Sequence, residues 1–501
     1  MLSFHVSRSP VSYPGPSAAE SAFAGAAAMQ IFPDFRAMVR RSGRWYLAAD
    51  IFAAVLAFPA AAFLARALSP AGDHGQFRHV LSSVSVRQFM VFAFLGLASI
   101  LWFDSRGHYR QRLPYWESVG HIAGLAAAGF VASGFLEFAL GNHGSRLWVA
   151  FGWVLFGVVT LMARGVVRHR LEKTGAWRIP AVMIGNGPAA EAAQRALDAD
   201  AAMGFSVVKR LPPSILADMT ETHAWKQMLM LHDARHIFLA LEGGEIERYQ
   251  AALKSLPRAR VPCSIVPPWQ GLPSSTLTPH HFVMRDVMML HDTNRLTLPL
   301  PRLVKRVVDI ALAGTALAVF ALPMVLVGLI VRCGGGSALF TQMRVGRHGR
   351  LFRCYKFRSM RPDAEKILRH YLDGNPGAAE EWRRFQKLKH DVRVTKVGAL
   401  IRRFSIDELP QLINVLRGDM SLVGPRPCLP GQEKLYADDF SFYESVRPGI
   451  TGPWQVGGRN SLTFRERVAL EAWYGRNWNL WLDIVIILKT FPVLLERGKA
   501  F

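Results

Sequence analysis

Asp407 and Glu408 are adjacent carboxylates, with Arg402 and Arg403 before them and Leu409-Pro410-Gln411 after. A carboxylate can attack phosphorus directly and form an acyl phosphate if the negative charges gathered there are offset. Arginines and a divalent cation are the groups that offset them. The surrounding sequence is rich in basic residues set beside glycine or proline. Lys356 and Arg358 lie in Tyr355-Lys356-Phe357-Arg358-Ser359-Met360, and Arg426 lies in the loop from Gly418 to Pro427. Arg447 begins Arg447-Pro448-Gly449, and Arg459 follows Gly457-Gly458. Glycine and proline fix a backbone close to a ligand, so the repeated pairing points to phosphate binding. The plain alternative is a solvated charge at each position. In that view Ser405-x-x-Glu408 is a capping box, with acids in the first helical turn.

These side chains need elements to hold them. Leu409, Leu412, Ile413 and Leu416 share one helical face and Gly418 is a natural stop, which places both carboxylates at a helix start. Adjacent residues in mid-helix point about 100° apart, so only a frayed first turn lets both reach one phosphate and its metal. Upstream, Ile310–Val331 is 22 residues without a charge, long enough to cross a bilayer. Its flanks are nevertheless both basic: Lys305 and Arg306 before, then Arg332, Arg344, Arg347 and Arg350 after. Pro323 lies just past the middle and interrupts the helical ladder. The expectation is a re-entrant helix-break-helix over 305–332 that enters and leaves by one membrane face. Further on, Trp478, Trp481, Ile484, Val485 and Leu488 have helical spacing, which suits an interfacial helix or an ordinary core helix.

The rest of the 501 residues is organised around apolar runs. Half the residues are hydrophobic, only 19% are charged, and mean hydropathy is +0.16. Four runs, Trp45–Leu64, Phe89–Phe103, Val119–Leu136 and Leu147–Ala163, read as a four-helix transmembrane bundle over 45–167. Basic residues cluster before the first run, between the second and third, and after the fourth, so both termini face the cytoplasm. Residues 1–44, rich in Ala, Ser and Pro, read as an unstructured tail. Residues 175–285 read as a Rossmann-like α/β accessory domain, with strands at Ile179–Ile184, His236–Leu241 and Val261–Val266. Gly185 and Gly187 follow the first strand in a GxGxxA turn, a weak nucleotide signal without an acidic residue after a second strand. A tight strand-to-helix turn is the favoured reading. Residues 302–501 form an α-rich domain.

The formal net charge of +23 suits nucleic acid, an anionic membrane surface or phosphorylated substrates. Residues 301–501 hold 32 Lys and Arg against 18 Asp and Glu. Hydrophobic runs beside the basic stretches and the lack of a helix-turn-helix pattern argue against nucleic acid. Four scattered cysteines make neither a disulfide framework nor a metal cluster.

The motifs Lys305-Arg306-Val307-Val308-Asp309, Tyr355 to Met360, Asp407-Glu408-Leu409-Pro410-Gln411, Gly418 to Pro427 and Arg447-Pro448-Gly449-Ile450-Thr451-Gly452 occur in order. This set resembles the monotopic phosphoglycosyl transferases, or bacterial sugar transferases. The whole chain looks like their long WbaP-type branch, which carries galactose or glucose phosphate to undecaprenyl phosphate. The resemblance implies that Asp407 is the nucleophile on a UDP-hexose, that Glu408 supports Mg²⁺ (or Mn²⁺) or proton handling, and that Arg402 and Arg426 bind phosphate. It further implies a homodimer in the bacterial inner membrane, with the monotopic catalytic domain on the cytoplasmic face. The family usually has Ser-Pro at the re-entrant break, where this chain has Leu322-Pro323. The competing functions are a membrane-bound NAD(P)-dependent sugar-modifying enzyme and a non-catalytic polysaccharide-assembly scaffold.

Overall fold

A computed structural model describes residues 18–67, 86–139, 146–269, 276–281, 288–292, 296, 298–333, 337–361, 363–385, 388, 391–458 and 462–495. The chain divides into two compact units, 1–270 and 271–501.

The first unit opens with four long helices: α1 (Ala18–Ala67), α2 (Val86–Ser105), α3 (Tyr115–Ala139) and α4 (Arg146–Lys173). Their stretches Ala37–Ala65, Gln88–Ser105, Tyr115–Ala139 and Leu147–Lys173 are long and apolar enough to cross a membrane. Each is longer than the apolar run read from the sequence, because the helix continues into the residues that flank it. Helix α1 already runs at Ala18, so residues 18–44 are not the unstructured tail expected there. Alanine-rich sequence favours helix. Residues 1–17 lie outside the described residues.

The four helices pack through Phe58, Phe92, Ile122, Trp148, Trp153 and Phe156. Small residues let aromatic rings approach, as where Trp153 covers Gly129 and donates to Ser133 Oγ at 2.7 Å. One ion pair is sealed inside. Arg164 Nε donates to Asp50 Oδ1 at 2.8 Å, and Tyr109 donates to Asp50 Oδ2 at 2.6 Å. Arg164 also bonds His108 Nδ1 at 2.7 Å, and the Asp50 carboxylate is fully buried.

The same unit carries a parallel sheet with strand order β2-β1-β3-β4. Its strands are β1 (Ile179–Ile184), β2 (Phe205–Leu211), β3 (His236–Leu239) and β4 (Cys263–Ile265). Helix α5 (Pro188–Ala199) follows β1. The apolar runs announce β1, β3 and β4. Edge strand β2 is missed because Phe-Ser-Val-Val-Lys-Arg-Leu lies mostly in half-exposed or exposed positions and lacks their uniform apolarity.

The second unit is built on helix α6 (Pro299–Cys333), the fifth helix long and apolar enough to cross a membrane. It is helical without interruption, Pro323 included, so the expected break is not a gap in the helix. A proline removes one N–H and a helix can absorb that loss by kinking. Residues 318–323, leading into Pro323, are all exposed, Val319 and Leu322 among them. Both ends pack on the same small fold. Ala313 joins Leu412 and Val415, whereas Val331 joins Phe357 and Ile401.

That fold comprises an antiparallel hairpin, β5 (Leu339–Val345) and β6 (Leu351–Phe357), and helices α7 (Lys396–Arg403) and α8 (Gln411–Arg417). A two-stranded parallel pair follows, β7 (Ser421–Val423) with β8 (Gly449–Thr451), and then helices α9 (Phe464–Asn477) and α10 (Leu480–Leu495). The chain turns between the last two helices, so Trp478 is not on α10. It is buried and donates to Asp483 Oδ2 at 3.0 Å. On α10 Val485 is buried, while Ile484 and Leu488 stay exposed. The helix thus has a core face and an open apolar face.

Candidate active site

One turn of α6 ties the second unit together. Arg306 donates to the Val415 and Leu416 carbonyls at 2.6 and 2.9 Å, satisfying the C-terminal end of α8. Buried Asp309 accepts from Ser421 Oγ at 2.8 Å and from the Leu422 N–H at 3.0 Å. Lys305 pairs with buried Asp483 at 2.6 Å. Helix α8 ends at Gly418, whose φ of +94° suits glycine. These contacts fix α8 and β7, the two elements that follow the carboxylate turn.

Asp407 and Glu408 lie in a short 3₁₀ turn, Ile406–Glu408, immediately before α8. Ser405 precedes it at φ +53°, a left-handed conformation unusual for serine, and its side chain caps nothing. The Ser405-to-Glu408 capping box is therefore not made; the backbone turn aims both acids elsewhere. They face a cavity of about 1520 Å³. Lys356 Nζ pairs with Glu408 Oε1 at 2.6 Å, and Arg426 reaches the same oxygen at 3.4 Å. Asp407 is 8% exposed, yet its carboxylate accepts no hydrogen bond among the described residues.

Electrostatics separates the two acids. Burial, and then the neighbouring Glu408 charge, raise the Asp407 carboxyl above the ordinary carboxylate range, against Lys356, Arg402 and Arg426. Burial also opposes charge on Glu408, but Lys356 and Arg426 outweigh it and hold that carboxyl well below its usual range. Eight Lys and Arg residues line the cavity against four acids, so it attracts anions.

Arg402, expected at the site, also lines the cavity, steadied by an Nε bond to Ser359 Oγ at 2.8 Å. Arg358 and Arg447 are not brought to the cavity wall. The backbone N–H of Arg358 bonds the Ala338 carbonyl, and Arg447 Nε donates to the Gly418 carbonyl at 2.8 Å. Arg459 lies outside the described residues. Residues missed from the sequence also line the wall. Arg467 stacks on Trp454 at 4.7 Å, and buried Glu471 accepts from the Arg426 N–H and from Tyr436 Oη, both at 2.8 Å. Burial raises the Glu471 carboxyl to about 7. Its spacing in the sequence is that of any helical glutamate, so no local signal marks it.

Gly185 and Gly187 form a tight turn. A Cβ on Gly185 would sit 2.1 Å from the Ala240 carbonyl, and one on Gly187 would meet Glu242 Oε1 at 2.4 Å. That same Glu242 oxygen accepts the Ala189 N–H at 3.0 Å at the start of α5. A carboxylate of the chain itself thus occupies the position at which a helix N-terminus would hold a nucleotide phosphate.

Residues 300–497 match the family described as bacterial sugar transferase. The undecaprenyl-phosphate galactose phosphotransferase of Salmonella typhimurium is 35% identical over 416 residues, covering 81% of this chain and 87% of that protein. The UDP-galactose-lipid carrier transferase of Erwinia amylovora is 33% identical, with the same coverage of 81% and 87%. The UDP-glucose:undecaprenyl-phosphate glucose-1-phosphate transferase of Caulobacter vibrioides is 39% identical over 216 residues, 40% of this chain and 75% of that protein.

Proposed function

The chain belongs to the bacterial sugar transferase family, and on that premise we propose that it transfers galactose-1-phosphate or glucose-1-phosphate from a UDP-sugar to undecaprenyl phosphate. The products are undecaprenyl-diphosphate-hexose and UMP, the first membrane step of exopolysaccharide, O-antigen or capsule synthesis. The observation that carries the assignment of roles is Asp407: a buried carboxylate without a hydrogen bond among the described residues, facing a cavity rich in cations.

In the first half-reaction an Asp407 oxygen attacks the β-phosphorus of the UDP-hexose. The bond from that phosphorus to the bridging oxygen breaks, and UMP leaves with the electron pair. An acyl phosphate carrying the sugar remains on Asp407. A phosphate oxygen of undecaprenyl phosphate then attacks the same phosphorus, and Asp407 departs as a free carboxylate. Lys356 and Arg426 keep Glu408 ionised, and with Arg402 they offer positive charge to the phosphates. Because Lys356 and Arg426 both bond Glu408, Asp407 is the carboxyl whose charge is less compensated.

Asp407 and Glu408 would also hold Mg²⁺ or Mn²⁺, which supplies further charge neutralisation when bound. The donor set fits. Both cations that touch Glu408 use Oε1, and no group of three or more potential ligands occurs among the described residues. Mg²⁺ takes one or two carboxylates together with substrate phosphates and does not need a full protein cage.

In this reading α1 to α4 span the bacterial inner membrane as a bundle, the β1–β4 sheet is a Rossmann-like accessory domain, and residues 302–501 are the catalytic domain on the cytoplasmic face. Helix α6 is re-entrant. Ala313 and Val331, on either side of Pro323, pack on one fold while residues 318–323 stay exposed, which supports that geometry over a straight crossing. The protein works as a homodimer, the part of the reading carried by resemblance alone. An NAD(P)-dependent enzyme is disfavoured by Glu242 in the Gly185–Gly187 turn. The test is UMP release from UDP-galactose and UDP-glucose by purified protein with Mg²⁺ and undecaprenyl phosphate. Release that requires the lipid and vanishes in Asp407→Ala is the expected result, and the faster donor identifies the sugar. Full activity in that variant would remove Asp407 as the nucleophile.

A further inference from the structure

The cavity that holds the carboxylates has a second chemical character. Leu409, one residue beyond Glu408, lines it, and with Ala316, Leu422 and Ile450 it packs against one buried cluster that includes Leu412 and Met420. Leu422, Val456 and Ile487 pack against a second buried cluster, Val423, Tyr474, Trp478 and Ile486. Leu409, Ala316, Leu422, Ile450, Val456 and Ile487 all line the cavity, and all are only partly buried. Leu422 belongs to both groups, so the six make an apolar strip on the cavity wall with members beside the carboxylate turn, on α6 and on α10. At its outer end Leu312 on α6 and Phe491 on α10 also line the cavity, and they are 46% and 61% exposed.

A nucleoside diphosphate sugar has no hydrocarbon chain to lay along such a strip. A ligand with an anionic head and a long hydrocarbon tail matches both halves of the cavity. Its head would lie by Lys356, Arg402 and Arg426, and its tail along the strip and out between α6 and α10. Both helices turn apolar side chains outward beside that opening, Val319 and Leu322 on α6 and Leu488 on α10. The path therefore runs on into the surfaces read above as lipid-facing.

We propose that the strip Leu409, Ala316, Ile450, Leu422, Val456 and Ile487 is the binding track for the first isoprene units of the acceptor, which reaches the carboxylates sideways from the bilayer. This rests on the transferase reading. It predicts that the enzyme measures chain length and does not merely recognise a phosphate head.

The experiment uses the full chain in mixed micelles, with acceptor concentration expressed as mole fraction in the micelle. Exchange of labelled UMP into UDP-hexose without acceptor is measured first on the wild type. KM is then measured for undecaprenyl phosphate and for a ten-carbon terpenyl phosphate in wild type, Ala316→Trp and Ile487→Asn. Wild type should favour the long acceptor by about tenfold or more, since each buried methylene adds to affinity. The bulky or polar variant should cut that preference to about twofold while the UDP-hexose KM moves far less. Where a variant loses its monodisperse profile, Ile487→Ala gives the same readout with a milder change. A wild type blind to chain length, or variants whose donor and acceptor KM rise together, would overturn the track. Absence of UMP exchange in the wild type would instead remove the ping-pong transferase reading beneath it.

Discussion

Lys356 contributes through one contact, its 2.6 Å pair with Glu408, and that contact sets the charge of the site. Without it Glu408 keeps only the longer 3.4 Å approach of Arg426, and its carboxyl rises toward the ordinary range. Lys356→Met should therefore lower kcat/KM by roughly 10²–10³, the usual cost of losing one preorganised charge at a reacting centre. Steady-state kinetics with saturating acceptor would check it, and a loss under threefold would exclude Lys356 from the phosphate-binding set. Asp407 must be ionised to attack, and burial raises its carboxyl. Activity should thus fall on the acid side at a pH above the normal carboxylate range. Glu408 pushes Asp407 in the same direction, so Glu408→Gln should move the acid limb of the residual activity to lower pH. An unmoved or upward-shifted limb in the pH–rate profile would contradict that coupling.

At the scale of elements, Lys305-Arg306-Val307-Val308-Asp309 is a clamp. It is legible in the sequence as a motif, but its purpose is not, because its partners lie more than a hundred residues away at Val415, Ser421 and Asp483. Asp309→Ala strips the acceptor from Ser421 Oγ and the Leu422 N–H, both in protein interior. About 2–4 kcal/mol of stability should be lost, as expected for orphaned buried donors. Thermal unfolding in detergent would measure it, and an unchanged transition would deny the clamp. The carboxylate turn and the stop at Gly418 are readable from apolar spacing and one glycine. The far wall of the cavity is not, since Glu471 becomes special only when α9 folds under the Arg426 loop. Glu471 also gives that packing a pH signature. Its carboxyl is raised from 4.5 to about 7, so the folded state holds the proton more tightly than the unfolded chain. The stabilisation is complete below pH 4.5 and is lost as pH rises through 7, a change of about 3 kcal/mol. Glu471→Gln keeps an acceptor for the Arg426 N–H and should flatten stability over that window.

For the whole molecule the deciding question is which side of the membrane each end of α6 meets. Composition alone makes α6 a spanning helix, with 6% of its most apolar stretch buried. The basic flanks and Pro323 argue otherwise from the sequence, and the packing of both ends on one fold agrees with them. A straight span would place Cys333, the last residue of α6, on the face opposite Pro299. A re-entrant one returns it to the cytoplasmic face. The native cysteines make this measurable. Cys263 and Cys333 are exposed, while Cys354 and Cys428 are buried. In a Cys263→Ser background a membrane-impermeant maleimide should therefore report on Cys333. Inverted vesicles, with the cytoplasmic face outward, should label it before detergent is added, whereas sealed right-side-out vesicles should label it only after lysis. The opposite pattern would make α6 a fifth crossing. Asp407 would then stand on the side of the membrane away from the nucleotide-sugar supply, and the reaction assigned to its carboxylate would have no donor.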